Sequence, residues 1–174
     1  MPTELQGAVA LRKSLRKFAP ELAKETQKEI AGFLKPVVRQ ARGFVPSNAD
    51  VPSGWLLGAQ KGKWERIAFD STLVKRGISY KTTPSRANRR GFRALASILN
   101  KSAAGAIYET AGRKSGVQGR FTPKLGGQLV GQTQKMTGRA MYRAYEQDQG
   151  KAKAAVIKAI FNSASKLNMR ATRG

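Results

Sequence analysis

Over the first forty-odd residues Leu11, Leu15, Phe18, Leu22, Thr26, Ile30, Phe33, Val37 and Ala41 follow one another at spacings of three or four, the repeat of one helix face. Lys and Arg fill the other faces. Pro20 suits the first turn of a helix better than an interior position, because no intrahelical donor is needed there. The spacing therefore predicts a shorter helix over 3–17 and a longer one over 20–42. Pro36 should kink the longer one, since its ring removes a backbone donor and crowds the preceding turn. Glu21, Glu25 and Glu29 stand near the start of that helix and Lys35, Arg39 and Arg42 toward its end, as the helix dipole favours.

The remainder offers shorter elements. Residues 43–64 read as a connector, punctuated by two prolines, four glycines and the run SNAD, with Trp55, Leu56 and Leu57 expected beneath the long helix. A strand is predicted over 77–86, with Ile78 and Tyr80 on one face, and a second over 92–100, where Phe92, Ala94, Ala96 and Ile98 alternate with Arg93, Leu95, Ser97 and Leu99. SRANRRG between them is a basic hairpin tip. Ser102 can cap a short helix over 103–111 that Gly112 can end, and its small residues imply that another backbone comes close. A long basic loop over 112–137 follows, of the kind that reaches a partner or orders on assembly. Alternation of Met141, Arg143 and Tyr145 with Ala140, Tyr142 and Ala144 predicts a third strand over 138–147. Helical spacing returns over 151–169, and the tail ATRG should fray. The expectation is one domain, 1–174, of α+β class: a small antiparallel sheet packed by a long N-terminal helix and a C-terminal helix.

Charge bounds the function. With 33 basic and 10 acidic residues the formal charge is +23, which attracts polyanions or acidic proteins. The chain has no cysteine and no histidine, so thiolate chemistry and the commonest general base and metal ligand are excluded. Carboxylates are scattered or lie on the first long helix, unlike the clustered acids a metal-dependent nuclease needs. No catalytic residue, metal site or cofactor is expected, and the chain is not read as an enzyme. It lacks an apolar run of about 18 residues and a signal-peptide pattern, so no membrane association is expected and synthesis is placed in the cytoplasm. Arg86, Arg89, Arg90 and Arg93 form the densest positive cluster, a candidate contact for DNA phosphates or for an acidic partner. Between Ser71 and Tyr145 there are fifteen Lys and Arg residues and a single acid, Glu109.

Around that acid the chain reads AIYETAGRKS and then GRFTPKL: Ile107, Tyr108, Glu109, Thr110, Ala111, Gly112, Arg113 and Lys114, with Arg120 and Phe121 beyond a loop. Together with KPVVRQARGFVP at 35–46, this resembles the tail-completion, or neck, proteins of long-tailed bacteriophages (siphophages), the head-to-tail connectors that include the HK97 gene-product-10-like family. Thr110-Ala111-Gly112 and Gly119-Arg120-Phe121 depart from the family's commoner forms and mark a divergent branch.

The resemblance implies a structural virion protein that forms a homo-oligomeric ring, typically hexameric, around the DNA channel. Its neighbours would be head-closure and tail-terminator or tail-tube proteins. Tyr108, Glu109, Gly112, Arg113, Lys114, Arg120 and Phe121 would then meet another copy or a neighbouring ring, Glu109 pairing with a basic residue of its own chain or of a neighbour. The alternative is a free, basic nucleic-acid-binding protein.

Overall fold

The structure, a computed structural model, describes residues 7–50, 69–89, 91–111, 129–130 and 137–172. Six helices account for 64% of these residues, alongside a two-stranded antiparallel sheet, so the class is α+β with helices dominant. The chain divides into two compact units, one comprising Met1–Lys35, Tyr80–Ser97 and Gly150–Gly174, the other Pro36–Ser79 and Ile98–Gln149.

The first unit holds α1 (Ala8–Phe18), the start of α2 (Pro20–Gly43) and α6 (Lys151–Thr172). Leu15, Ala19, Leu22 and Ala23 cluster in its core, with Leu11 and Leu167 packed against them. From α6 come Ala152, Val156, Ala159 and Ile160. Burial of Leu15, Ile30 and Ile160 contributes about 2 kcal/mol each. Thr26 and Ser163 are buried with them, their hydroxyls 2.5 Å apart: one donates to the other, and the accepting hydroxyl donates to its own helix, at Leu22 for Thr26 or Ala159 for Ser163. In this way neither hydroxyl is left without a partner, which would cost more than the bond gains. Two residues expected on the apolar face depart from it: Phe18 is 70% exposed and Phe33 41%. The buried line of α1 is instead Ala8, Arg12, Leu15 and Ala19.

The second unit takes over α2 at Pro36, through which the helix continues, and buries Val37, Val38, Ala41 and Val45. It adds α3 (Ser71–Gly77), α4 (Ala103–Thr110) and α5 (Met141–Gln147) around Phe69, Val74, Ile78, Tyr108 and Ala144. The Phe69 and Tyr108 rings lie 5.7 Å apart in a tilted pair. α3 was not anticipated, although Asp70 is a standard cap, its side chain accepting from the Thr72 and Leu73 amides.

The strands are shorter than predicted, β1 covering Ile78–Lys81 and β2 Ser97–Asn100. The third strand expected over 138–147 is a correction: Met141–Gln147 is helical, and only an isolated antiparallel bridge joins Val130 to Gly138. The C-terminal helix runs through Ala171 and Thr172, past the point where fraying was expected. Trp55, Leu56 and Leu57 of the connector lie outside the described residues.

Candidate functional site

Glu109, the isolated acid, is 2% exposed, and Tyr108 3%. Tyr108 and Glu109 were expected to meet another copy or a neighbouring ring, Glu109 pairing with a basic residue of its own chain or of a neighbour; within this chain both are interior residues of the second unit. The short helix α4 begins where Ser102 accepts the Gly105 amide at 3.0 Å. Two turns later it delivers the Glu109 carboxylate to the start of α5. One oxygen accepts the Ala140 amide at 2.8 Å and the other the Tyr142 amide at 2.9 Å. These amides have no partner within their own helix, and α5 has no side-chain cap at its own N-cap position, Ala140. A negative group there also complements the helix dipole.

Arg139 answers from the other side. Its Nη1 donates to the carbonyls of Tyr108 at 2.8 Å and Ala111 at 2.7 Å, at the C-terminal end of α4. Its guanidinium stands 5.8 Å from the centre of the Tyr108 ring. The two helices therefore exchange caps: α4 supplies the anion for the start of α5, and the residue before α5 supplies the cation for the end of α4. Burial lowers the Arg139 pKa, an effect opposed by Tyr108 and Glu109. Burial raises the Tyr108 phenol, Arg139 opposes it, and Glu109 adds to it. A Cβ on Gly138 would collide with the Glu109 carboxylate, so only glycine leaves room for the clasp.

A second polar link lies at the start of α4. Asn100 donates to the Val74 carbonyl at 3.2 Å and accepts from the Ser102 amide at 2.9 Å and its hydroxyl at 2.8 Å. Its side chain occupies the space that a Cβ on Gly105 would need. The small residues of α4 thus accommodate a polar side chain of the same chain, where another backbone was expected.

The other candidate, the arginine cluster, lies in the first unit. Every described residue from Ser85 to Arg93 is exposed, including Arg86, Arg89 and Arg93. The turn is closed by internal bonds: the Asn88 amide donates to the Phe92 carbonyl, the Phe92 amide to the Asn88 side chain, and the Gly91 amide to the Asn88 carbonyl, each at 2.9 Å. Gly91 has φ +76°, a conformation that side-chain-bearing residues rarely adopt. Below the turn, the Ser85 amide donates to the Ala94 carbonyl at 2.8 Å and the Ala94 amide to the Ser85 hydroxyl at 2.9 Å. At the root, the buried Arg12 of α1 donates to the Leu95 carbonyl at 2.7 Å and to the Thr82 carbonyl, one on each arm of the hairpin.

Neither Arg12 nor Arg139 stands out in the sequence as a candidate. Arg12 carried a usable signal, because it falls in the Ala8, Leu15, Ala19 line that the core takes. Arg139 and Gly138 carried none, since their partner is some thirty residues away, 31 for the Ala140 bond to Glu109. Arg90 and the expected contact residues Gly112, Arg113, Lys114, Arg120 and Phe121 lie outside the described residues. Among the described residues no group of three acids could hold a metal ion, and no helix is long and apolar enough to cross a membrane. Comparison with protein families, with curated proteins and with solved structures finds no match to this chain.

Proposed function

We propose that the chain is a structural subunit of a long-tailed bacteriophage virion, assembling as a homo-oligomeric, hexameric ring at the head-to-tail interface around the DNA channel. It carries no catalytic role in this reading. The supporting observation is how the second unit uses its isolated acid. Both oxygens of Glu109 accept backbone amides, so the group most open to a catalytic interpretation serves as a helix cap. What the surface offers is contact area: Phe18, Leu73, Phe161 and Met169 are each more than half exposed, and Phe161 and Met169 lie two turns apart on α6. A chain with a formal +23 repels its own copies, so apolar contacts of this kind would have to hold a ring together. Much of the basic excess would face acidic neighbouring proteins, and part of it the channel.

Electron microscopy and sedimentation of the purified chain at physiological salt test the proposal. Closed rings are expected, and Phe161→Ser with Met169→Ser should reduce them while leaving the helical content intact. A chain that stays monomeric alone and is absent from virions would overturn it. The alternative, a free nucleic-acid-binding protein, draws on the exposed arginine hairpin and requires binding to duplexes by the monomer.

A further inference from the structure

We propose that the hairpin between Thr82 and Leu95 is a preorganised prong for the phosphates of B-form duplex DNA, independent of whether the chain forms a ring. Three observations carry it. The exposed tip is cationic through arginine alone: Arg86, Arg89 and Arg93 stand on it, and no acid occurs between Asp70 and Glu109. Guanidinium forks match phosphate oxygens in pairs, where an ammonium offers only a point charge.

Second, the tip is ordered before any ligand arrives. Asn88 and Gly91 close the turn, Ser85 and Ala94 tie its arms, and Arg12 clamps the root across both arms. A rigid presentation lowers the ordering cost that binding otherwise incurs. The use of Arg12 is informative, because a guanidinium buried at 5% exposure is a costly fastening for a loop with no task.

Third, the shape selects the ligand. The loop projects beyond the ends of β1 and β2 as two arms tied at Ser85 and Ala94, a narrow element of the kind the major groove of B-form DNA admits and the narrower major groove of A-form RNA does not. Phe92, 40% exposed beside the arginines, would meet the groove floor, where thymine methyls offer apolar contact. An acidic protein surface would use the charge but neither the narrow loop nor the Phe92 ring.

The test is an anisotropy titration of the full chain against mixed-sequence duplex DNA over a series of salt concentrations. Arg86→Ala, Arg89→Ala and Arg93→Ala together should weaken binding at least tenfold and flatten the logarithmic salt dependence by about 2.7, the value for three lost phosphate contacts. Lys13→Ala, Lys24→Ala and Lys28→Ala, which remove the same charge from exposed positions on α1 and α2, should leave both quantities near those of the parent. Equal losses in the two variants would overturn the proposal, as would duplex RNA binding as tightly as DNA. Loss of polyglutamate binding by the arginine variant with DNA binding intact would also overturn it, assigning the hairpin to an acidic protein. Hydrogen exchange on the unsubstituted chain provides a check that does not depend on the variants folding: slowed exchange across 86–93 on adding duplex is expected, and unchanged exchange there would count against the prong. A monomer that binds DNA through this hairpin would support the inference while defeating the ring assignment, so the two fail separately.

Discussion

At Glu109 one carboxylate stabilises two backbone amides that no other group in α5 can reach. Glu109→Ala should therefore destabilise the protein by about 2 to 4 kcal/mol, combining a lost cap with buried donors left unpaired. Gly138→Ala should cost about 1 to 3 kcal/mol by driving a methyl group into the same carboxylate. In the double variant the methyl meets the space the carboxylate vacated, so the two losses should fall short of additive by about 1 kcal/mol or more in urea unfolding. Strict additivity would mean that Gly138 is not glycine because of Glu109. Tyr108 gives a pH signature. Burial raises its pKa above the ordinary value of about 10, so on alkalinisation the unfolded chain loses the phenolic proton first. The native state then holds more protons, and the contribution present below about pH 10 is lost as pH rises through the folded value. Tyr108→Phe should flatten the decline of the urea midpoint as pH rises above about 10; an unchanged slope would show that Tyr108 does not set it. Of these roles the sequence announced only that Glu109 was unusual. It showed the isolation of the charge but not the cause, since the amides it serves are brought close by folding.

Elements differ in how much of them is local. α1, α2 and α6 were legible because each carries its burial pattern on its own face over three or more turns. α4 was legible because Ser102 lies next to the amide it caps. α5 differs from its expected strand because the alternation of Met141, Arg143 and Tyr145 with Ala140, Tyr142 and Ala144 is too short to separate a strand's period from a helix's, and its cap comes from Glu109. A helix this short is not stable alone, so its state is decided by the surroundings. The hairpin lies between these cases: its turn could be read from SRANRRG, but its fastening to Arg12 could not. Arg12→Met should leave the carbonyls of Thr82 and Leu95 short of a donor and loosen the root. Hydrogen exchange at Ser85 and Asn88 should then quicken by at least tenfold relative to the α6 core, and equal exchange in both proteins would show that the hairpin holds without its clamp.

For the molecule as a whole, the division into two units does not follow the order of the chain. The first unit is assembled from three separate stretches and the second from two, with α2 and both strands contributing to each. No single cut in the sequence separates them, so no boundary in composition marks the division. The formal charge of +23 belongs to this scale too, since it acts through the summed field and leaves the fold class untouched.

The exchange of caps between α4 and α5 also bears on the segment that joins them. By holding Ala111 at one end and Gly138 to Tyr142 at the other, it fixes where the intervening segment leaves and re-enters the fold, whatever that segment contains. Closing a loop costs little more when its length doubles. The exit and re-entry points therefore depend on the clasp more than on the length between them, so Arg139→Ala should lower the thermal midpoint of unfolding by several degrees, and an unchanged midpoint would show that α4 keeps its end without the guanidinium. A lowered midpoint would make the pair of caps a seat in its own right: α4 and α5 hold each other, and a segment of another sequence could be grafted between Ala111 and Gly138 without disturbing either helix.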